Sequence, residues 1–567
     1  MSKKIFITSA LPYCNNVPHL GNIIGSTLSG DVYSRFKRNQ TKNCDITYLC
    51  GVDVYGTTTI LKASQENLTC EEICEKYKKL HKQIYDWFNI KFDIWGQTNT
   101  EEQTKITHKI FIELYKNGYI EEKTITQMYC SKCDSFLADR YLKGTCYHEE
   151  CKDKQNIVNG DQCDYCQKFI DVNKLINPFC YVCKNVPYLK ETQHLYLKLN
   201  ELHNEINNYN FNNSNVKLSN HVISIVKSWL DNGLESRCIT RDLKWGTSIP
   251  WEFDSRLEKY KNKVFYVWFD APFGYYSILM KDNPDYENWL KHDVEMVQFM
   301  GKDNVVFHTI IFPGSILGSK LNLPLVNKLA CTEYLLYEGT KFSKSNNIGI
   351  FGDHVGQISN DLGINEDYWR YYLLKIRPET HDSSFDWKDF VGTIQSDLVN
   401  NIGNFINRCV VMSEKFCNNI TYYKNTKENE LLKSITIYND SLENFKFREA
   451  LAQCLAVSSY GNIYLQMEKP WIIAKDKSIE SKEILQKILG KANAICYVLL
   501  QLLNPIIPAT SSKLLNTFKL TNQIDDLTQI ITNDNTITID KTNYSLPFKN
   551  IDIKDVRIAL DKLNILS

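Results

Sequence analysis

The first fifty residues limit what this chain can become more than any other stretch. Residues 4–9 (KIFITS) are a short β-prone run, and a polar loop carrying Pro12, Asn15, Asn16 and Pro18 follows. A helical pattern then runs from about Asn22 to Lys37, and a second β-prone run covers 45–50. Strand, helical crossover and strand is the signature of a parallel sheet, whose ligand lies beyond the carboxyl ends of the strands. The loop over 10–22 is therefore the first place to look for chemistry.

The α/β texture breaks at about Tyr129 and returns after Cys183. Between them Cys130/Cys133, Cys163/Cys166 and Cys180/Cys183 form three C-x2-C pairs, a spacing suited to structural zinc held by thiolates. Cys146 and Cys151, at x4 spacing, supply a fourth half, with His148 as a rival ligand. After this insert, residues 263–270 (KVFYVWFD) and 296–300 look like buried strands of the resumed domain. From about Ser396 the pattern is helical, with Leu398, Ile402, Phe405 and Cys409 in phase and long helices around 431–465 and 482–503. The Asn/Asp/Thr-rich stretch 521–548 reads as a weakly ordered connector before a last helix at 553–564.

Composition narrows the classes. The 567 residues exceed one domain, and 43% hydrophobic with 23% charged residues is the balance of a folded globular protein. Lys+Arg and Asp+Glu are 66 each, so any nucleic-acid site has to be a local patch rather than a general basic field. The start, MSKKIFI, has too short an apolar run for a signal peptide, and 494–503 is too short to span a bilayer. No membrane partner and a reducing, cytoplasmic location are expected, with the 19 cysteines as thiols or ligands rather than disulfides.

Two segments are suited to phosphate. His19-Leu20-Gly21-Asn22 lies between the first strand and helix, where backbone N–H groups and the helix dipole favour an anion; His19 can donate to it and Gly21 permits close approach. Some 320 residues later, Gly339-Thr340-Lys341-Phe342-Ser343-Lys344-Ser345 puts two lysines on a glycine-flanked loop able to stabilise charge on a leaving pyrophosphate. Each is weak alone, and together in an α/β context they are informative.

The two segments resemble the HIGH and KMSKS signatures of class I aminoacyl-tRNA synthetases, with Asn22 in place of the last His and Phe342 in place of Met. The wider segments ALPYCNNVPHLGNIIG, YLCGVDVYGT, RDLKWGT, FYVWFDAP, MGKDNVVFH and NNIGNFINR resemble the methionyl-tRNA synthetase family in its eukaryotic-cytosolic and archaeal form, over residues 4 to about 510. The resemblance implies a Rossmann-like parallel sheet split by a zinc-binding insert and followed by an α-helical anticodon-binding bundle. The expected divisions are 1–118 (catalytic, first half), 119–240 (insert), 241–330 (catalytic, second half), 331–395 (lysine-loop and stem-contact region) and 396–567 (helical bundle with C-terminal extension).

By the same resemblance Ala10, Leu11, Tyr13, Asp53, Trp268, Ala271, Pro272, Tyr275 and His308 form a methionine pocket. Asp53 is chemically apt for the substrate ammonium, and Trp268 and Tyr275 for a polarisable thioether. Val54 departs from the Glu of close relatives. ATP is expected on His19, Gly21, Asn22, Gly301, Asp303 and Lys344, with His19, Asn22, Lys341, Lys344 and Arg241 in catalysis. The lysines are transition-state stabilisers rather than bases, since reactions at phosphorus depend on positioning and charge. One zinc would be held by Cys146, Cys151, Cys163 and Cys166, another by Cys130, Cys133, Cys180 and Cys183, so the expected cofactors are ATP, Mg2+ and one or two structural Zn2+.

In 401–408, Asn401, Asn404 and Arg408 share a helical face opposite Ile402 and Phe405. The resemblance makes Asn404 and Arg408 anticodon contacts, with Trp471 after Pro470 as a stacking platform. The implied partners are L-methionine and tRNA(Met), including the initiator, and the reading allows a monomer. Synthetases for leucine, isoleucine or valine carry a large editing domain where this insert is short and cysteine-rich. A silent tRNA-binding relic is disfavoured by the presence of His19, Asn22, Asp53, Lys341 and Lys344.

Overall fold

The computed structural model describes residues 3–40, 44–137, 141–151, 156–160, 163, 165–166, 170–344, 347–424, 428–521, 526–542 and 544–565. Strands that matter for the site are β1 (Lys3–Ser9), β2 (Cys44–Val52), β3 (Ile94–Gln97), β4 (Ile120–Cys130), β5 (Tyr188–Leu197), β6 (Lys217–Leu218), β7 (Glu295–Gly301) and β8 (Val326–Thr332). Six of them form one parallel sheet in the order β6-β8-β7-β1-β2-β3.

Side-chain alternation on these strands divides the core. Ile5 and Ile7 point to the face that continues into the C-terminal helices, while Phe6 points to the face covered by helices such as Glu101–Lys116. Chain order reverses between β1 and β7, so the crevice at their carboxyl ends is the topological switch point of a doubly wound sheet. The segments ending at Ser9 and Gly301 open into it.

β4 and β5 run antiparallel over ten paired residues and carry the cysteine module at their far end, with its own small apolar core around Leu142, Val158 and Ile170. The chain is back in the catalytic sheet by β6, within the stretch 119–240. Residues 263–270 differ from the sequence expectation. Only Val264–Phe265 is extended, pairing antiparallel with Thr240–Arg241, and Val267–Asp270 turns into a helix. A short continuous apolar run does not separate a buried strand from a buried helix by period alone.

The C-terminal half also departs in detail. Helices Asn429–Glu443 and Phe447–Glu468 replace one long helix, broken where Phe445 takes a φ of +60°. The stretch read as a connector contains the strand Asn535–Ile539, which joins Ile420–Tyr423 and Phe518–Leu520 in an antiparallel sheet. Its sequence NTITI buries alternate residues Asn535, Ile537 and Ile539, a period-two signal masked by polar neighbours. The last helix, Ile553–Lys562, returns to the catalytic side, where Lys562 pairs with Asp361 at 3.2 Å.

Candidate active site

The loop after β1 is tied to the end of β2 by backbone bonds from Asp53 N–H to Pro12 C=O and from Cys14 N–H to Asp53 C=O. That pairing places Tyr13 opposite Asp53. His19 then caps the helical segment starting at Leu20. Its Nδ1 accepts from the N–H of Gly21 (3.1 Å) and Asn22 (3.3 Å), and Asn22 Oδ1 accepts from the His19 N–H at 3.1 Å. Desolvation lowers the His19 pKa to about 4, so the ring is neutral at pH 7. With Nδ1 accepting, the proton resides on Nε2, which is left as the donor. A Cβ on Gly21 would lie 2.9 Å from the His19 ring, so this glycine makes room for the cap itself.

The lysine loop folds onto this turn. Phe342 stacks on His19 with ring centroids 4.4 Å apart and 6° between planes. Backbone bonds run from Leu20 N–H to Ile350 C=O and from Gly352 N–H to Pro18 C=O. Ser343 and Ile348 exchange two bonds at 2.9 Å, closing the tip. Ser345 lies outside the described residues. Lys344 approaches Asp353 at 3.7 Å and the Phe351 ring at 5.4 Å, and burial lowers its pKa. Lys341 instead lies 5.8 Å over the Tyr334 ring, so the two ammonium groups diverge from one loop.

A cavity of about 60 Å³ beside this turn is lined by Ala10, Leu11, Tyr13, Asp53, Trp268, Ala271, Pro272, Tyr275 and His308, joined by Asn304 and Phe307. The first nine are the pocket residues expected from the sequence. Asn304 and Phe307 are additions, although both lie within MGKDNVVFH, and Phe307 packs on Trp268 at 4.7 Å. Trp268 and Tyr13 are the exposed members at 45% and 37%, and Trp268 Nε1–H donates to Tyr13 Oη at 3.1 Å. This pair forms the outer rim.

Inside, His308 Nδ1–H donates to the Asn304 carbonyl at 2.8 Å, which leaves Nε2 to accept from Tyr275 Oη at 2.9 Å. Burial lowers the His308 pKa to about 4 and fixes it neutral. Asp53 is 3% exposed; its Oδ1 accepts from Thr98 Oγ1 (3.3 Å) and Tyr55 N–H (3.4 Å). Burial, then the negative charge of Asp270, push its pKa well above the usual carboxylate range. Val54 is fully buried, with its N–H on Thr98 Oγ1 and its carbonyl accepting from Trp245 Nε1–H. Both bonds are made by the backbone of Val54, so they brace the neighbouring Asp53 without its side chain.

Gly301 ends β7 with no protein atom within 4 Å of where a Cβ would point, which leaves space at the switch point. Asp303 follows and accepts from Tyr334 Oη at 2.5 Å. Arg241 does not line the cavity; its guanidinium stacks 3.6 Å over Tyr266, whose ring lies 5.0 Å from Trp268. Nor is it a surface partner of Asp242, which binds Lys263 and His194 instead.

In the insert, Cys130, Cys133, Cys180 and Cys183 form one group and Cys146, Cys151, Cys163 and Cys166 another, the sulfurs of each within 4.8 Å of one another. Cys133–Cys180 and Cys151–Cys163 sulfur separations of 3.7 Å match the roughly 3.8 Å edge of a tetrahedron with metal–sulfur bonds of about 2.3 Å. His148 stands outside the second group, its Nδ1 3.4 Å from both Cys146 and Cys166 sulfurs. Each set could hold a zinc ion with no open position.

On the helical half, Asn404 Nδ2 and Arg408 donate to Asn462 Oδ1 at 3.2 and 3.3 Å, and the Arg408 guanidinium lies 5.5 Å from the Trp471 ring. Asn404 and Arg408 thus converge on Asn462 of the helix Phe447–Glu468, with Trp471 against the Arg408 guanidinium.

Comparison with known proteins follows the same division. The family model for class I tRNA synthetases (M) matches residues 5–410, and that for the anticodon binding domain of methionyl tRNA ligase matches 418–538. A methionine–tRNA ligase of Acanthamoeba polyphaga mimivirus is 52% identical over 99% of this chain and all of its own length. The cytoplasmic methionine–tRNA ligase of Homo sapiens is 43% identical over 90% of this chain, which spans 56% of the human protein. Among solved structures, Mycobacterium tuberculosis methionyl-tRNA synthetase in complex with methionyl-adenylate superposes with a TM-score of 0.76 over 96% of this chain and 99% of its own, at 18% identity.

Proposed function

The chain belongs to the class I tRNA synthetase family in its methionyl branch, and from that premise we propose that it activates L-methionine with ATP and transfers it to tRNA(Met), initiator included. The observation that carries this reading is the cavity at the switch point. It joins a buried carboxyl, with no ion pair among the described residues, to apolar and aromatic walls, of which Ala10, Leu11 and Tyr13 lie on the same loop after β1 that carries the neutral histidine and packs against the lysine loop.

In the first step the methionine carboxylate attacks the α-phosphate of ATP, presented as its Mg2+ complex, and pyrophosphate leaves. Asp53 holds the ammonium, and Trp268, Tyr275 and Phe307 surround the thioether. The Tyr275–His308 bond keeps the inner wall rigid and uncharged. His19 Nε2–H donates to a phosphate oxygen, the N–H groups of the turn it caps being taken by its own Nδ1 and by Ile350 C=O, while Lys341 and Lys344 leave Tyr334 and Asp353 to swing toward the departing pyrophosphate. Gly301 and Asp303 provide room and a polar anchor for the nucleoside. At about 60 Å³ the cavity is small, and an outward swing of the Trp268–Tyr13 rim would enlarge it. Arg241 can reach the carboxylate side only by leaving Tyr266.

In the second step a ribose hydroxyl at the tRNA 3′ end attacks the adenylate carbonyl and releases AMP. Asn404, Arg408 and Trp471 offer the anticodon hydrogen-bond donors and a stacking face. Each set of four cysteines would hold a Zn2+ whose role is to stiffen the insert. Among the described residues no helix is long and apolar enough to cross a membrane; a cytoplasmic site of action is part of this reading. The test is charging of tRNA(Met) measured beside adenylate formation. Trp471→Ala should depress charging and leave adenylate formation intact, and equal loss of both would refute the assignment of the helical half.

A further inference from the structure

Arg241 lies back on its own strand, its Nη1 donating to the Thr240 carbonyl at 2.9 Å while the guanidinium stacks on Tyr266. The residues on either side of it are held from one direction. His194, fully buried on β5, brings Nδ1 to 2.9 Å from Thr240 Oγ1 and Nε2 to 3.1 Å from Asp242 Oδ2. Thr240 Oγ1 also accepts from the Leu195 N–H at 3.1 Å, and the Ile239 N–H donates to the Leu195 carbonyl at 2.8 Å. One imidazole of β5 therefore spans both neighbours of Arg241.

The Asp242 carboxylate gathers a third segment. Its Oδ2 accepts from Thr192 Oγ1, also on β5, at 2.9 Å, and its Oδ1 pairs with Lys263 Nζ, which donates to Thr192 Oγ1 as well at 2.7 Å. Lys263 leads into Val264–Phe265, the partner of Thr240–Arg241, and then into Tyr266, whose N–H donates to the Ile239 carbonyl at 2.8 Å. The strand that carries the guanidinium and the ring it rests on are thus tied to one carboxylate. Burial works against the charge of Asp242, but His194 and Lys263 outweigh it and hold the pKa at about 2, so the group is ionised at pH 7. An ionised carboxylate only accepts, so the neutral His194 ring keeps its proton on Nε2 and Nδ1 accepts from the Thr240 hydroxyl. Asp242, His194, Thr192 and Lys263 all lie outside the lining of the cavity.

We infer that Asp242 and His194 are positioning residues for Arg241: they fix the backbone on both sides of it to β5, so that the guanidinium alone moves when it leaves Tyr266 for the substrate carboxylate. A long side chain delivers its charge to a defined place only from an anchored base, and a small misplacement of a reacting group is costly. β5 also carries the cysteine module at its far end, so the insert strand is part of the frame of the active site rather than an appendage to it.

This inference rests on the catalytic reading of Arg241, and the experiment separates the two. Methionine-dependent ATP–pyrophosphate exchange is measured on the full chain for wild type, Arg241→Ala, Asp242→Asn and the double variant. Asp242→Asn should lower kcat by roughly 10–10²-fold with little change in the methionine KM, and should cost nothing further once Arg241 is alanine. Thr192→Val, close to threonine in outline, removes the bond from β5 to Asp242; its smaller loss should likewise vanish in the Arg241→Ala background, and it decides the matter if Asp242→Asn shows no cooperative melt. Losses that multiply in the Arg241→Ala background would overturn the positioning role, because a merely structural lesion slows exchange whether or not Arg241 is present. Wild-type rates in both Asp242→Asn and Thr192→Val would overturn it too. Wild-type exchange by Arg241→Ala would instead defeat the reading of Arg241 on which the inference stands, and no methionine-dependent exchange by wild type would defeat the functional reading.

Discussion

Lys344 and His308 show how single residues are tuned by what surrounds them. Lys344 pairs with Asp353 at 3.7 Å while desolvation disfavours its charge, so a developing pyrophosphate competes with that one carboxylate for its ammonium. Lys344→Ala is expected to slow adenylate formation by roughly 10²–10³-fold with little change in the methionine KM, read from ATP–pyrophosphate exchange. A parallel rise in methionine KM would instead place Lys344 in ground-state binding. His308 gives a pH signature. Its folded pKa of about 4 lies below the unfolded value near 6.5, so the unfolded chain binds the proton that the native ring refuses. Its contribution to stability is complete above pH 6.5 and is lost as pH falls toward 4. Denaturant melts at pH 5 and 7.5 should therefore differ less for His308→Gln than for wild type, and an unchanged difference would mean that the ring is charged in the fold.

At the scale of elements, the lysine loop and the cysteine insert are separate devices, the first following the strand Leu335–Tyr337 and the second carried by the antiparallel pair β4 and β5. Gly349 has a φ of +105°, and a Cβ there would lie 2.2 Å from the Phe342 ring that stacks on His19. Gly349→Ala should push Phe342 off the histidine and lower exchange activity, with some loss of stability from an alanine at this φ; full activity would show that the stack is dispensable. For the insert, chelation should open residues 130–183 to protease while the parallel sheet resists, because thiolate coordination supplies what its small apolar core does not. Equal digestion with and without chelator would argue against bound metal. These elements were unequally legible in the sequence. The C-x2-C spacing and the strand–loop–helix at the start pointed to both candidate sites, because each is a short-range pattern. The Phe342–His19 stack and the Asn462 hub depend on segments brought together from distant parts of the chain, and no local pattern encodes them. The strand Asn535–Ile539 was hidden for another reason, its alternation being short and set among turn-forming residues.

For the whole molecule the decisive feature is how the two halves are fastened. Arg370, fully buried, donates to Asp31 on the helix Leu28–Gln40, to Phe88 C=O at the end of the helix Cys70–Trp87, and to Pro505 and Ile506 C=O of the helical half. Asp31 also receives Arg35 and the Lys91 N–H. Removing one partner of a buried, hydrogen-bonded pair costs about 3–5 kcal/mol, so Arg370→Ala should unfold at markedly lower denaturant and weaken tRNA charging more than exchange. A melting curve superimposable on wild type would deny the fastening role. The α/β class, the inserted module and the helical end were visible from periodicity and cysteine spacing, whereas this fastening joins residues 31, 88, 370 and 506 and was not. The central claim is that the switch-point cavity selects methionine for activation. ATP–pyrophosphate exchange by the full chain, run with each of the twenty amino acids in turn, tests it most directly. Exchange dependent on methionine and near background with the other nineteen is expected; absence of methionine-dependent exchange, or stronger exchange with another amino acid, would contradict it.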